Sequence, residues 1–201
     1  MTRALVVLRW LMVAALASSL GGCASFYVDG NAPEVPSAAF TKPAQPAEVQ
    51  LIWEFQTRGV ANVRATELLK ARVKEQIANS GLFSSITETP ASGGAMLSVT
   101  VNNIPLSDDA VSKGFVAGLT FGLAGQTVGD GYECTARYLS GRSGAPAAVS
   151  TGKHIIFANI GAASQPPGSI KASSAEEAVG LMLRQLISRT LNDLSKEKNF
   201  P

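Results

Sequence analysis

Few residues in this chain could carry acid–base or metal chemistry. Its 201 residues include one histidine, His154, and two cysteines, Cys23 and Cys134. An ordinary zinc site needs three or four ligands, which His154 and Cys134 cannot supply alone. Asp108 and Asp109 have no further ligands at fixed spacing, so a solvated helix cap is favoured over a cation site. The chain has no P-loop and no G-x-G-x-x-G pattern. We therefore predict that the protein is not an enzyme.

The N-terminal residues have the order of an export signal. Arg3 and Arg9 are the only charged residues before Cys23, and an unbroken apolar run follows from Trp10 to Ala17. This run is too short for a membrane-spanning helix, which needs about 20 residues. Small residues then lead to a cysteine, as expected near a cleavage point. The residues at that point are Leu20, Gly21, Gly22 and Cys23.

This arrangement resembles the leader and lipobox of bacterial lipoproteins. The resemblance implies that residues 1–22 are a signal peptide and that Cys23, carrying diacylglycerol and an N-acyl chain, begins the mature protein. In that family an Asp directly after the cysteine favours retention in the inner membrane. Ala24 stands at that position, so the resemblance implies anchoring in the outer membrane, with the domain facing the periplasm. We expect no cofactor beyond this covalent lipid.

The charge balance argues against nucleic acid as a partner. Because Arg3 and Arg9 lie in the leader, the mature chain carries 15 basic and 15 acidic residues. A net charge of zero gives no long-range attraction to phosphate groups. If Cys23 is acylated, Cys134 has no intramolecular partner, and it shares a strand face with Tyr132, Ala136 and Tyr138. We predict a buried, apolar role for Cys134.

The mature chain is predicted to contain a tether and a single domain. Residues 23–47 include four prolines that interrupt helix and strand periodicity, so we predict a Pro-rich tether there. Residues 48–201 are then one domain. The four prolines are Pro33, Pro36, Pro43 and Pro46.

Hydrophobic periodicity predicts the order β-α-β-β-insert-β-β-α. Alternating residues predict strands near 48–56, 83–88, 95–104, 132–139 and 147–160. Asn62 is a candidate cap for a first helix ending near Asn79, and Ser173 and Ser174 stand three residues before Glu176 and Glu177, as in a capping box. The predicted inner face of the first helix comprises Ala65, Leu68, Leu69, Val73 and Ile77. We therefore predict an α+β, two-layer sandwich: a 4–5-stranded, mainly antiparallel sheet with two helices on one face.

This plan, together with the leader, resembles small α/β outer-membrane lipoproteins that assist envelope-assembly or transport complexes. The resemblance covers the general order of elements over about 48–196 and rests on no specific motif. It implies a non-enzymatic role beside another envelope component.

The predicted insert, residues 107–130, has an unusual composition. Gly114, Gly118 and Gly122 recur every four residues, the small-xxx-small spacing that lets apolar helices approach closely in lipid. Each glycine costs about 1 kcal/mol in a helix in water relative to alanine, so something is expected to cover the segment. The cover could be its own domain, a membrane or protein partner, or a second copy of the chain. The candidate contact residues are Gly114, Phe115, Gly118, Leu119, Phe121 and Gly122.

The leading functional hypothesis is an outer-membrane lipoprotein whose domain binds or scaffolds another component of the envelope, most simply a protein. The alternative is a membrane-active or self-associating lipoprotein acting through residues 114–125, which would allow a homo-oligomer. An envelope hydrolase is a distant third.

Overall fold

The computed structural model describes residues 24–106 and 126–201. Within them lie eight strands, two α-helices and a short 3-10 helix at Ser37–Ala39. The elements are β1 (Ala24–Asp29), β2 (Glu48–Thr57), β3 (Val60–Ala61), α1 (Val63–Asn79), β4 (Ser85–Thr87), β5 (Met96–Pro105), β6 (Gln126–Leu139), β7 (Ala148–Ile160), β8 (Ser169–Ala172) and α2 (Ala175–Leu194).

All eight strands belong to one open, mixed sheet in the order β3-β2-β5-β6-β7-β1-β8, with β4 also beside β2. β2 runs parallel to β4 and β5, and the other neighbouring strands of the described sheet are antiparallel. The predicted α+β class with two helices is confirmed. The predicted number of strands is wrong, because β1, β3 and β8 are short strands next to turns or proline-containing segments.

Helix α1 connects the parallel strands β2 and β5, as a parallel pair requires. It begins after Asn62, whose side chain accepts a hydrogen bond from the Ala65 backbone N–H at 3.0 Å. The helix buries Leu69, Val73 and Ile77. Leu68, predicted on the same face, is exposed, because it lies about 100° around the helix from Leu69.

Helix α2 is the longer of the two described α-helices and packs mainly on β7, β6 and β1. Ser174 accepts a hydrogen bond from the Glu177 N–H at 3.1 Å, while the Glu177 carboxylate accepts one from the Ser173 N–H at 2.7 Å. This exchange satisfies amide groups at the start of the helix. Both helices cover the same sheet face, since Trp53 donates to the Thr66 carbonyl on α1 and Gly152 lies against Thr190 on α2.

The segment predicted as a tether belongs to the domain from Ala24 onward, so that prediction is wrong. β1 is hydrogen-bonded between β7 and β8, and its Val28 is fully buried. Further along, the backbone N–H groups of Val35 and Thr41 donate to side-chain hydroxyls on α2. The prolines prevent regular structure over much of 33–46, but they do not prevent this chain from packing on the domain.

The predicted insert boundaries also require correction. Residues 126–130 belong to β6, where they continue the antiparallel ladder with β7. The absence of a side chain at Gly129 and Gly131 makes room for Leu106, which lies within about 3 Å of where a Cβ would stand at either glycine. Residues 107–125 lie outside the described parts of the chain.

Because Val28 is fully buried, Val28→Ala should destabilise the domain. Loss of a buried valine side chain is expected to lower the free energy of unfolding by about 1.5–3 kcal/mol. Ile170→Ala is the matched control, since Ile170 pairs with Val28 across the sheet but is exposed. Urea unfolding of the mature chain measures both. Equal, small effects would show that β1 contributes little to the core.

Candidate functional site

The residues predicted from sequence to form functional sites lie outside the described parts of the chain. This applies to the lipidation site and to the glycine-rich contact residues, whose roles stay predictions. They are Leu20, Gly21, Gly22, Cys23, Gly114, Phe115, Gly118, Leu119, Phe121 and Gly122.

A cleft of about 440 Å³ lies between α1, α2 and the N-terminal segment that precedes β2. We call it the interhelical cleft. Apolar side chains from all three segments line it, together with polar residues nearer the solvent. The apolar lining consists of Val35, Phe40, Val73, Leu183 and Leu191. Its volume falls within the range of about 300–1,000 Å³ typical of ligand sites.

The N-terminal wall of the cleft is held by two serines of α2. The Val35 N–H donates to Ser188 Oγ at 3.0 Å, and the Thr41 N–H donates to Ser195 Oγ at 3.1 Å. Each serine hydroxyl in turn donates to the backbone carbonyl three residues earlier. Ser188 and Ser195 are two helical turns apart and therefore lie on one face. Sequence reasoning missed this wall, although polar residues within the apolar stripe of α2 are a signal for it.

The rim of the cleft carries charges of both signs. Arg72 on α1 forms an ion pair with Glu176, and Arg184 Nε lies 3.6 Å from a carboxylate oxygen of Glu34. All four side chains are at least half exposed. Solvent-exposed pairs of this kind contribute about 0–1 kcal/mol each. These charged groups can therefore exchange partners at little energetic cost.

A glycine forms part of the α2 wall. Gly180 lies inside the helix, and a Cβ built there would be 3.5 Å from Arg72 Nη1 and 3.9 Å from Arg184 Nη1. Both are ordinary contact distances to the ends of flexible side chains. The fold therefore has room for alanine at this position. Glycine is nevertheless present, even though it costs about 1 kcal/mol relative to alanine in a helix interior.

The two residues with the greatest catalytic potential are buried outside the cleft. Cys134 is fully buried, as predicted, and burial raises the pKa of its thiol to about 12. His154 is 3% exposed, and burial lowers the pKa of its imidazole. A buried neutral thiol is a poor nucleophile. In the described chain no three metal-binding side chains come together, and no helix has the length and hydropathy needed to cross a membrane.

His154 packs beneath α2 with incomplete hydrogen bonding. Its Nδ1 accepts the Ile155 N–H at 2.9 Å, whereas Nε2 has no hydrogen-bond partner within the described residues. Gln185 on α2 likewise has an unsatisfied, buried Oε1. Asp29 favours the protonated imidazole and Arg189 disfavours it, but burial is the largest cause of the lowered pKa. The folded domain therefore favours the neutral histidine.

This burial predicts a pH-dependent stability. The unfolded histidine has a pKa near 6.5, so below that pH the unfolded chain binds a proton that the folded domain resists. We expect the free energy of unfolding to be nearly constant between about pH 7 and 8 and to fall between about pH 6.5 and 5. Carboxylates such as Glu88 affect the stability only at lower pH, because the ordinary pKa of a glutamate is 4.5 and the pKa of Glu88 is lowered further.

Urea unfolding across this pH range checks the prediction. His154→Asn keeps a polar side chain but removes the titrating group, so its stability should change less between pH 6.5 and 5. An equal slope in both proteins would contradict the assignment to His154.

No family model matches the chain, and no curated protein matches it. Similar solved structures include a single-residue variant of the PelC dodecamer from Paraburkholderia phytofirmans, at 13% identity over 77% of this chain and 92% of that one, with a TM-score of 0.36. A structure described as a neuraminyllactose-binding hemagglutinin homolog from Helicobacter pylori is 11% identical over 79% of this chain and 89% of that one, with a TM-score of 0.40. A DUF330 protein from Xanthomonas campestris is 13% identical over 77% of this chain and 86% of that one, with a TM-score of 0.32. At these identities and scores, the similarities assign neither a family nor a function to this chain.

Proposed function

We propose that the protein is a lipid-anchored outer-membrane lipoprotein, without enzymatic activity, whose domain binds another protein of the cell envelope in the interhelical cleft. The observation that carries the binding site is Gly180. The fold alone does not require glycine there, yet glycine leaves space in the cleft that a longer side chain would fill.

The character of the cleft favours a protein segment over a strongly charged ligand. Its rim pairs Arg72 and Arg184 with nearby carboxylates, and Glu75 adds a further acidic group, so it presents no excess of positive charge. Anionic headgroups and nucleotides are bound by clusters of unpaired basic groups. An apolar side chain of a partner can instead pack against the partly exposed Val35 and the edge of Phe40, while the partner's polar groups meet the rim.

The anchor rests on the leader. Two arginines, a short apolar run and Leu20-Gly21-Gly22-Cys23 together support export and lipidation. Ala24 in place of Asp supports delivery to the outer membrane, through the resemblance to lipoproteins. An anchored domain that carries a binding cleft suits a scaffold or accessory subunit better than a freely diffusing enzyme.

Filling the cleft should block the partner without unfolding the domain. Gly180→Leu places a bulky side chain in the cleft, whereas Gly180→Ala adds one methyl group at ordinary contact distance. A photoreactive residue in place of Glu75, on the rim, should form a crosslink to an envelope protein in living cells. We expect Gly180→Leu to abolish that crosslink and Gly180→Ala to retain it.

The same photoreactive residue in place of Thr151 is the positional control, because Thr151 is exposed on the sheet face away from the helices. Melting temperatures of both Gly180 variants show whether the fold is intact. No product from position 75, or the same product from positions 75 and 151, would reject the cleft as the binding site.

The anchor has its own test. Cys23→Ala removes the sulfur that would carry the lipid, so the protein should no longer incorporate labelled fatty acid or fractionate with the outer membrane. Cys134→Ala is the matched control, because Cys134 is buried in the sheet and should not be acylated. Continued fatty-acid incorporation into Cys23→Ala would show that the lipobox interpretation is wrong.

A further inference from the structure

One end of the sheet extends beyond the end of β2. Thr57, the last residue of β2, is level with His154 on β7 through the intervening strands. β7 continues for six more residues to Ile160, about 20 Å. β6 and β1 accompany β7 through this extension.

The helix-side face of this extension is largely apolar, with Gln126 and Asp130 as its polar register positions on β6. Register places Val128, Ala158 and Phe26 side by side in one row, and Ile160 and Ala24 beside each other in the next. We call these five residues the apolar end patch. Val128 is 44% exposed and Ile160 is 51% exposed, so protein covers the outer part of the patch only partly.

The opposite face of the same strands is covered, with Tyr27 and Phe157 buried there beside polar residues. Thr127 Oγ1 donates to Asn159 Oδ1 at 2.7 Å, and Asn159 Nδ2 donates to the carbonyl oxygens of Ala163 and Ser164 at 3.1 and 2.8 Å. The loop after β7 is thereby held to that face. The bare apolar surface at this end is therefore on the helix side.

The patch is shallow. Its two rows are two residues apart along the strands, which is about 7 Å. Asp130 is the next residue of β6 on this face, and it is exposed. A charged group thus marks the inner limit of the patch on β6. This depth matches the 5–10 Å by which amphipathic surfaces enter the boundary between headgroups and acyl chains.

We propose that the apolar end patch lies in the headgroup region of the membrane to which Cys23 is attached. The proposal rests on the lipidation in the proposed function. Cys23 directly precedes β1, so its Cα is about 3.8 Å from that of Ala24. Ala24 pairs with Ile160, at about 5 Å between Cα atoms. The acylated residue therefore lies within about 10 Å of the patch.

The chain around the patch agrees with this orientation. Gln126 pairs with Ile160 at the same end of the sheet, and Leu106 lies beside Gly129 and Gly131. Leu106 and Gln126 therefore both lie at the same end of the sheet as Ala24. The acyl chains supply membrane affinity, while burial of the patch fixes which end of the domain faces the lipid.

Lipid quenching of a fluorophore on β7 tests the proposal. Ile160→Cys and Val149→Cys in the mature, lipidated protein are labelled with a nitrobenzoxadiazole maleimide and reconstituted in phosphatidylethanolamine/phosphatidylglycerol vesicles containing doxyl-labelled lipid. Val149 is 43% exposed, similar to Ile160, but lies about 36 Å away along the strand. Cys134 is fully buried, with its pKa raised to about 12, so it should not be labelled.

We expect loss of most of the fluorescence at position 160 and little loss at position 149. Val128→Cys, in the other row, provides an independent position if Ile160→Cys does not fold. Equal quenching at the two ends, or none at positions 160 and 128, overturns the proposal. A blue-shifted, unquenched label also overturns it, because a protein surface would then cover the patch.

Acylation is measured separately, by incorporation of labelled palmitate into the wild-type protein. Absence of incorporation rejects the proposed anchor and, with it, the basis of this inference. Incorporation without preferential quenching at the patch rejects this inference alone.

Discussion

The pairing of β1 between β7 and β8 is the constraint on which the rest of the structure depends. β8 has β1 as its neighbour in the sheet, so without β1 it would have no ladder partner. α2 follows β8 directly and packs over Val28 and β7. β1, at the start of the described chain, therefore positions both β8 and α2.

α2 combines two roles that are usually separated on a helix surface. Its apolar side chains, such as Leu186 and Ile187, fill the core above the sheet. Its buried serines bind the N-terminal segment, and Gly180 leaves the cleft open beside α1. The same helix therefore stabilises the domain and shapes its candidate binding site, so tests of the cleft need substitutions that spare the core face.

The features that local patterns predicted are those with strong local signals. Alternation of Val49, Leu51, Trp53 and Phe55 predicted β2, and the serine–glutamate spacing predicted the start of α2. β1 has only six residues, and its partners lie at least 128 positions away, so no local window reveals that it joins the sheet. The interhelical cleft could not be predicted for the same reason, because three segments that are distant in sequence form it. For Cys23 the opposite holds, because its proposed role is predicted from the sequence alone.

If the chain is exported as proposed, the position of β1 has a consequence for the order in which it folds. The residues that follow Cys23 emerge first, but the strands that flank them emerge among the last. Such distant pairings form late, because closing a long loop is entropically unfavourable before other contacts exist. If Cys23 is acylated soon after export, the protein is already attached to a membrane while its sheet is incomplete. Final closure of the sheet is then a reaction at the lipid surface, and the bilayer is part of the environment in which this domain folds.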